Sequence, residues 1–342
     1  MGHYEISPKE KMVTDKTTNL GAKISTDSEA FDVLIMATMS AGKSSLVNAL
    51  IGQELLHVAN EATTACHTRI EHRRSAKCFT GTRYTHSNLP LDKQQKVSLK
   101  KLIDWNACEG VRQVVLSGRF KADPIPSSGL VLHDTPGPNN SQDDRHARMA
   151  LEVFQTVPFK TLLYVINASQ LGTYDDRKLL EQLHEAAVAR NGATFGFVLN
   201  KVDLLDPEKG EHLPDHVGKT RYYLEGIGFN NPVVIPSMAS TALYARKVLS
   251  NEPLSRAQRL KLQQALSDCA INPHALVESA LVPEPVKRQV FQSLDRLERP
   301  HKTRQVDPNS PLDNELRKLI LCSGLGMVEA FIKYQRKLST TA

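Results

Sequence analysis

Cysteine is scarce in this chain of 342 residues, and what there is does not pair by spacing. Cys66, Cys78, Cys108, Cys269 and Cys322 are odd in number and widely scattered. That excludes a disulfide framework and a zinc site, and it suits reduced thiols in a cytosol. Long apolar runs are missing too: no stretch approaches the roughly 18–20 residues that cross a bilayer. The start, Met1-Gly2-His3-Tyr4-Glu5, lacks the basic-then-apolar pattern of a secretory leader. The expectation is a cytoplasmic protein, at most peripheral to a membrane. The twelve histidines show no paired metal spacing. Aromatics make up 6%, and none interleaves with the basic clusters at 69–77, 96–101, 287–304 and 333–337 as a single-strand nucleic-acid groove requires. The net charge of +6 is therefore spread over several faces, which leaves contact with nucleic acid or anionic lipid open without pointing to either.

What remains is an ordinary globular composition, 40% apolar and 23% charged, long enough for one large domain or two small ones. Residues 1–28 are polar without an apolar period and are expected to form a flexible N-terminal arm. Strand-like runs follow at 32–36, 112–120, 129–133, 161–167, 194–199 and 232–235, separated by helical stretches. One of these, 176–190, places Leu179, Leu180, Leu183, Ala186 and Ala187 on one face. Strands alternating with helices predict an α/β fold with a mostly parallel central sheet flanked by helices. Ligands in such sheets bind beyond the carboxyl ends of the strands, so the loops after Met36, His133, Leu199 and Ile235 should converge.

The first of these loops, Ala37-Thr38-Met39-Ser40-Ala41-Gly42-Lys43-Ser44-Ser45, fits the phosphate-loop pattern at its last three positions, with Ala37 where the first Gly stands. It follows a strand and opens the helix Leu46-Val47-Asn48-Ala49-Leu50-Ile51, which Gly52 would end. Free backbone N–H groups and the positive end of a helix dipole then face an anion. Lys43 can reach the β- and γ-phosphates of a nucleotide, and the Ser44 hydroxyl can ligate Mg²⁺.

After the third strand run comes Asp134-Thr135-Pro136-Gly137. An Asp at that place holds Mg²⁺ directly or through water, and the Gly137 N–H can approach a γ-phosphate because no Cβ intervenes. Later comes Asn200-Lys201-Val202-Asp203. The Asp203 carboxylate can accept from guanine N1–H and the exocyclic amine, whereas adenine would leave it unpaired, so the expected ligand is GTP or GDP. The Lys201 stem can lie over the base. In Pro236-Ser237-Met238-Ala239, backbone N–H groups are expected at guanine O6. Between the first two motifs, Thr63, Thr64 and Thr68 compete for a role in ordering around the γ-phosphate, and spacing does not choose among them.

These four motifs in this order are the hallmark set of guanine-nucleotide-binding P-loop proteins. Ser40-Ala41-Gly42-Lys43-Ser44 followed by Asn48-Ala49-Leu50-Ile51-Gly52 resembles the GTPase domain of bacterial dynamin-like proteins. Asp134 to Asn139, Ser169-Gln170-Leu171, and Ser237-Met238 with Ala245-Arg246 resemble the branch that includes a replication-clamp-binding member. The likeness covers about 30–250 and resumes at Ser323-Gly324-Leu325 through Phe331, which looks like the last helix of that domain. It divides the chain into the arm 1–28, a GTPase domain 29–250, a small helical insert and linker 251–318, and the last helix 319–342. Within the insert, helices are expected at 256–268 and 285–297, with Leu260, Leu262 and Leu266 as core candidates.

The resemblance implies hydrolysis of GTP to GDP and phosphate with Mg²⁺. It assigns the Mg²⁺-binding and water-placing threonine to Thr64. It gives Ser40 a part at the β–γ bridge, with a monovalent cation in place of an arginine finger. It also implies stimulation by pairing across the nucleotide faces, as a homodimer or with a partner dynamin-like protein. Three departures weigh against fast turnover or membrane remodelling. Met39 stands where many dynamins carry Gln, Pro138 stands where small GTPases carry a water-orienting Gln, and the sequence ends about ten residues after the expected last helix, without a stalk. A nucleotide-gated binding or assembly protein with negligible hydrolysis is the alternative.

Overall fold

The computed structural model describes residues 30–57, 66–106, 108, 110–122, 129–137, 144–188, 193–299 and 310–341. The expected arm 1–28, Thr63, Thr64 and Pro138 lie outside these.

Among the described residues nine strands form one sheet: β1 (Phe31–Ala37), β2 (His67–His72), β3 (Thr80–Thr85), β4 (Pro90–Gln94), β5 (Val111–Gly118), β6 (Leu130–Asp134), β7 (Thr161–Asn167), β8 (Thr194–Asn200) and β9 (Val233–Ser237). Their order is β4-β3-β5-β2-β6-β1-β7-β8-β9. Five neighbouring pairs are parallel and three antiparallel, so the sheet is mostly parallel, as expected. The six strand runs read from the sequence are β1 and β5–β9. The strands β2, β3 and β4 were not foreseen, and they bring all three antiparallel pairings.

Alternation along β1 sends Val33, Ile35 and Ala37 into one core and Leu34 and Met36 into the other, so both sheet faces are covered. The second core is closed by α3 (Asp144–Thr156), α4 (Tyr174–Val188) and α5 (Leu213–Ile227), through Phe154, Leu180 and Leu224 among others. The first is closed by α1 (Lys43–Ile51), α2 (Leu99–Asn106), α6 (Ala239–Leu249) and the helices that follow. These are α7 (Arg256–Ile271), α8 (Ala275–Ser279), α9 (Glu284–Glu298), α10 (Ser310–Cys322) and α11 (Leu325–Thr341). Leu262, Val286, Leu294, Leu316, Leu319 and Phe331 belong to the same apolar cluster as α1 and α6, so residues 256–298 pack on the sheet's own core.

Two expectations change in detail. Leu262 is buried and Leu266 packs against the core, but Leu260 is 57% exposed because α7 turns Leu262 and Ala265 inward. The stretch 251–318 expected as insert and linker already contains the start of α10, which runs from Ser310 to Cys322. No helix of the described residues is long and apolar enough to cross a membrane.

Candidate nucleotide-binding site

Ala37 is the last residue of β1, so it keeps an ordinary strand backbone and the absent glycine costs nothing there. The left-handed turns of the loop fall instead on Ser40 (φ 60°) and Gly42 (φ 92°). Gly42 has a second reason to lack a side chain: a Cβ would lie 2.2 Å from Asn200 Nδ2. The helix α1 starts with Leu46 N–H donating to Gly42 O, and its first turn carries no acidic side chain. Its opening amides therefore have no intrahelical acceptor and no neighbouring carboxylate on their own turn. Thr38, Met39, Ser40 and Ser44 are half-buried along this loop, whereas Ala41 and Ser45 are buried.

Lys43 makes an ion pair with Asp134 Oδ1, and both side chains are buried. The register of β1 against β6, Ile35 opposite Asp134, brings the two motifs to one level. Thr135 Oγ1 donates to Ile35 O at 3.1 Å and ties the loop after β6 to β1. The Gly137 backbone lies against the phosphate loop, where an added Cβ would come within 3.5 Å of Ala37 O and 3.7 Å of Met39 N. An ammonium, the Ser44 hydroxyl and the Asp134 carboxylate at the mouth of a helix form a donor set that fits phosphates with a hard cation.

The base side is assembled from β8 and β9. Asn200 Nδ2 donates to Ala41 O at 2.9 Å, and its Oδ1 accepts from Ala239 N at 3.1 Å. One buried amide thus joins the first, third and fourth loops. Lys201 adopts the left-handed conformation (φ 65°), which a lysine takes only at a cost. Burial holds its ammonium below the usual lysine range, and a neighbouring Lys261 adds to the effect. The Asp203 carboxylate is only 13% exposed and makes an ion pair with Lys261 Nζ at 2.6 Å. Apart from that ammonium, no described group donates a hydrogen bond to either of its oxygens. The Ser237 hydroxyl, fully buried at the end of β9, has no hydrogen-bond partner among the described residues.

Two of the amides expected at guanine O6 have partners within the protein. Met238 N–H donates to Ser323 O at 2.8 Å, and Ala239 N–H goes to Asn200. Pro236 has no N–H. The fourth loop is thereby clamped by the turn between α10 and α11, where Gly324 (φ 82°) packs so closely that a Cβ would lie 1.9 Å from Pro236 O.

Three contributors escaped the sequence reading. Lys261 is one, since a lysine on a helix gives no local signal. Asn48 is another: its buried amide donates to Leu56 O at 2.7 Å and accepts from Leu55 and Leu56 N–H at 3.0 and 2.8 Å, fixing the chain just ahead of residues 58–65. The third is a buried chain beside Asp134. His67 and His133 approach at 3.0 Å and His133 Nε2 meets Asp32 Oδ1 at 2.7 Å, while burial pushes both imidazoles below the usual histidine range.

Residues 33–202 match the sequence model of the dynamin family. A bacterial dynamin-like protein from Nostoc punctiforme is 28% identical over 196 residues, which is 54% of this chain and 27% of that protein. Two solved chains of an oligomerised bacterial dynamin pair, described as sensing and tethering membranes over long range, share 17% and 16% identity with TM-scores of 0.49 and 0.47. They cover 78% and 80% of this chain and 44% and 43% of their own. Aquifex aeolicus Era bound to GDP and aluminium fluoride is 14% identical with a TM-score of 0.36, covering 67% of this chain and 58% of that one. The chain spans less than half the length of each dynamin relative named here.

Proposed function

This chain belongs to the dynamin family, matched over residues 33–202, and on that premise we propose that it is a GTP hydrolase that works with Mg²⁺ and turns over faster when two nucleotide faces meet. The single observation that carries the guanine reading is Asp203, a nearly buried carboxylate to which, among the described residues, only the Lys261 ammonium offers a donor. A guanine edge supplies the two donors it lacks, and an adenine edge does not.

The division of labour follows from the side chains. Lys43 exchanges its contact with Asp134 for the phosphates, and the α1 amides complete the anion cradle. Ser44 and Asp134 would hold Mg²⁺, with Thr64 as a third ligand in the family pattern; when bound, the ion neutralises charge that develops on the phosphate oxygens. Ser40 would help hold the β–γ bridge, beside a monovalent cation. Gly137 places its N–H toward the γ-phosphate. Among the described residues near these groups no side chain is an obvious general base, so positioning and charge must supply the rate, and a second copy or a dynamin partner closing over the site would supply more of both. Scattered thiols fit a cytoplasmic setting for this activity. The likeness to a replication-clamp-binding branch rests on the sequence segments Asp134 to Asn139, Ser169-Gln170-Leu171, and Ser237-Met238 with Ala245-Arg246.

Phosphate release from GTP, followed against protein concentration, tests the proposal. Specific activity should climb with concentration. Tight GTP binding with negligible turnover at every concentration would instead favour a nucleotide-gated binding protein, the reading that Met39 and Pro138 suggest.

A further inference from the structure

We propose that Lys261 is a positioning residue for base recognition: through its ion pair it holds the Asp203 carboxylate turned toward the guanine edge. The proposal rests on the guanine reading above and extends it to a helix that lies outside the four nucleotide motifs.

Asp203 lies in a short helical turn, Val202–Leu204, beside the end of β8. With so little of the carboxylate in contact with solvent, water does little to balance its charge or fix its direction. Lys261 supplies the cation at 2.6 Å from Oδ2. The carboxylate has about four lone-pair sites, so a lysine on one oxygen leaves room for two base N–H groups.

The lysine is delivered by a fixed helix. Leu262 and Ala265 anchor α7 in the core. Ser255 and Gln258 form a capping box at its start, with Gln258 N–H to Ser255 Oγ at 3.2 Å and Ser255 N–H to Gln258 Oε1 at 3.0 Å. Gln258 Nε2 also reaches Glu54 Oε1 at 3.4 Å, and Glu54 is held in turn by Lys247 at 2.9 Å. The Lys261 side chain itself is 37% exposed, so its replacement leaves the core untouched.

Equilibrium binding of GDP, IDP and ADP to the full chain separates the possibilities without relying on turnover. Inosine keeps N1–H but lacks the amine, so it makes one of the two bonds to Asp203. Lys261→Met should weaken GDP about tenfold and IDP only about threefold, as expected for a charged acceptor losing its alignment, and Lys261→Arg should restore the wild-type ratio. Lys261→Gln should behave like Lys261→Met. Equal weakening of GDP and IDP, no change, or tighter GDP binding in Lys261→Met would each overturn the proposal. Wild-type protein that binds ADP as well as GDP would remove the guanine reading itself, a result visible before any variant is compared.

Discussion

Asn200 donates from Nδ2 to the Ala41 carbonyl at 2.9 Å, and so a residue of the base loop holds the backbone of the phosphate loop. The same side chain accepts from Ala239 N–H. Two halves of the site that bind different ends of one ligand therefore share a single amide. Asn200→Ala should cost about 1–3 kcal/mol, because the Ala239 amide and Ala41 carbonyl lose a buried partner. Denaturant unfolding reads the loss, and GTP and GDP affinity should fall together. A variant with wild-type stability would show that the two loops hold their places independently.

Gly42→Ala should act on the same junction by intrusion. The left-handed backbone and a Cβ placed 2.2 Å from Asn200 Nδ2 both oppose it. We expect loss of tight nucleotide binding and a lower melting temperature. Gly324→Ala should lower the melting temperature as well, since Pro236 O stands in the way. Its effect on nucleotide affinity should be weaker, because it presses on the fourth loop from behind. Thermal melts with and without GDP distinguish the two patterns.

Lys43→Ala removes one member of a buried ion pair. Breaking such a pair costs about 3–5 kcal/mol when the remaining charge stays buried, and the phosphates also lose their cation. The expected outcome is a destabilised protein with no measurable GTP binding by calorimetry. Binding that survives in a folded Lys43→Ala variant would place the phosphates elsewhere.

Asp176 gives a pH dependence of defined sign. It accepts from Tyr164 Oη at 2.8 Å and from Tyr223 Oη at 3.2 Å, yet burial pushes its carboxyl up to about 6. The folded state thus holds this proton more tightly than the unfolded chain, whose Asp titrates near 3.9. Its contribution is fully present below about pH 4 and is lost as pH rises through about 6, at up to about 1.4 kcal/mol per pH unit. The buried His67 and His133 act in the opposite direction, losing stability as pH falls below about 6.5. The difference between wild type and Asp176→Asn isolates the carboxyl: unfolding free energies should diverge from pH 4 to pH 6 and then run parallel. A constant difference across that range would contradict this assignment.

Much of this was legible in the sequence, and the reasons differ by element. The strands β1 and β7 are built on the apolar runs at 33–37 and 162–166, so their limits fall within a residue or two of those read from the sequence. The strands β2, β3 and β4 read HTRIEH, TGTRYT and PLDKQ. They are polar, two of them bury little, and their place in the sheet is set by pairing, β2 with β5 and β6, β3 with β5, and β4 with β3, rather than by composition. Leu260 was misplaced because α7 is weakly amphipathic and its phase cannot be read without the core it faces. Local spacing names Lys43, Asp134, Asn200 and Asp203, since each is tied to a strand end. It cannot name Lys261, Asn48 or Ser323, whose roles arise from contacts made across the fold.

The central claim is that Asp203 reads guanine while the phosphate loop around Lys43 holds its phosphates. Equilibrium binding of GTP and xanthosine triphosphate to wild type and Asp203→Asn tests it most directly. The account predicts that wild type prefers GTP and that the variant shifts toward xanthosine triphosphate, because an amide can donate to the xanthine O2 that a carboxylate repels. An unchanged preference for GTP in a folded Asp203→Asn protein would contradict it.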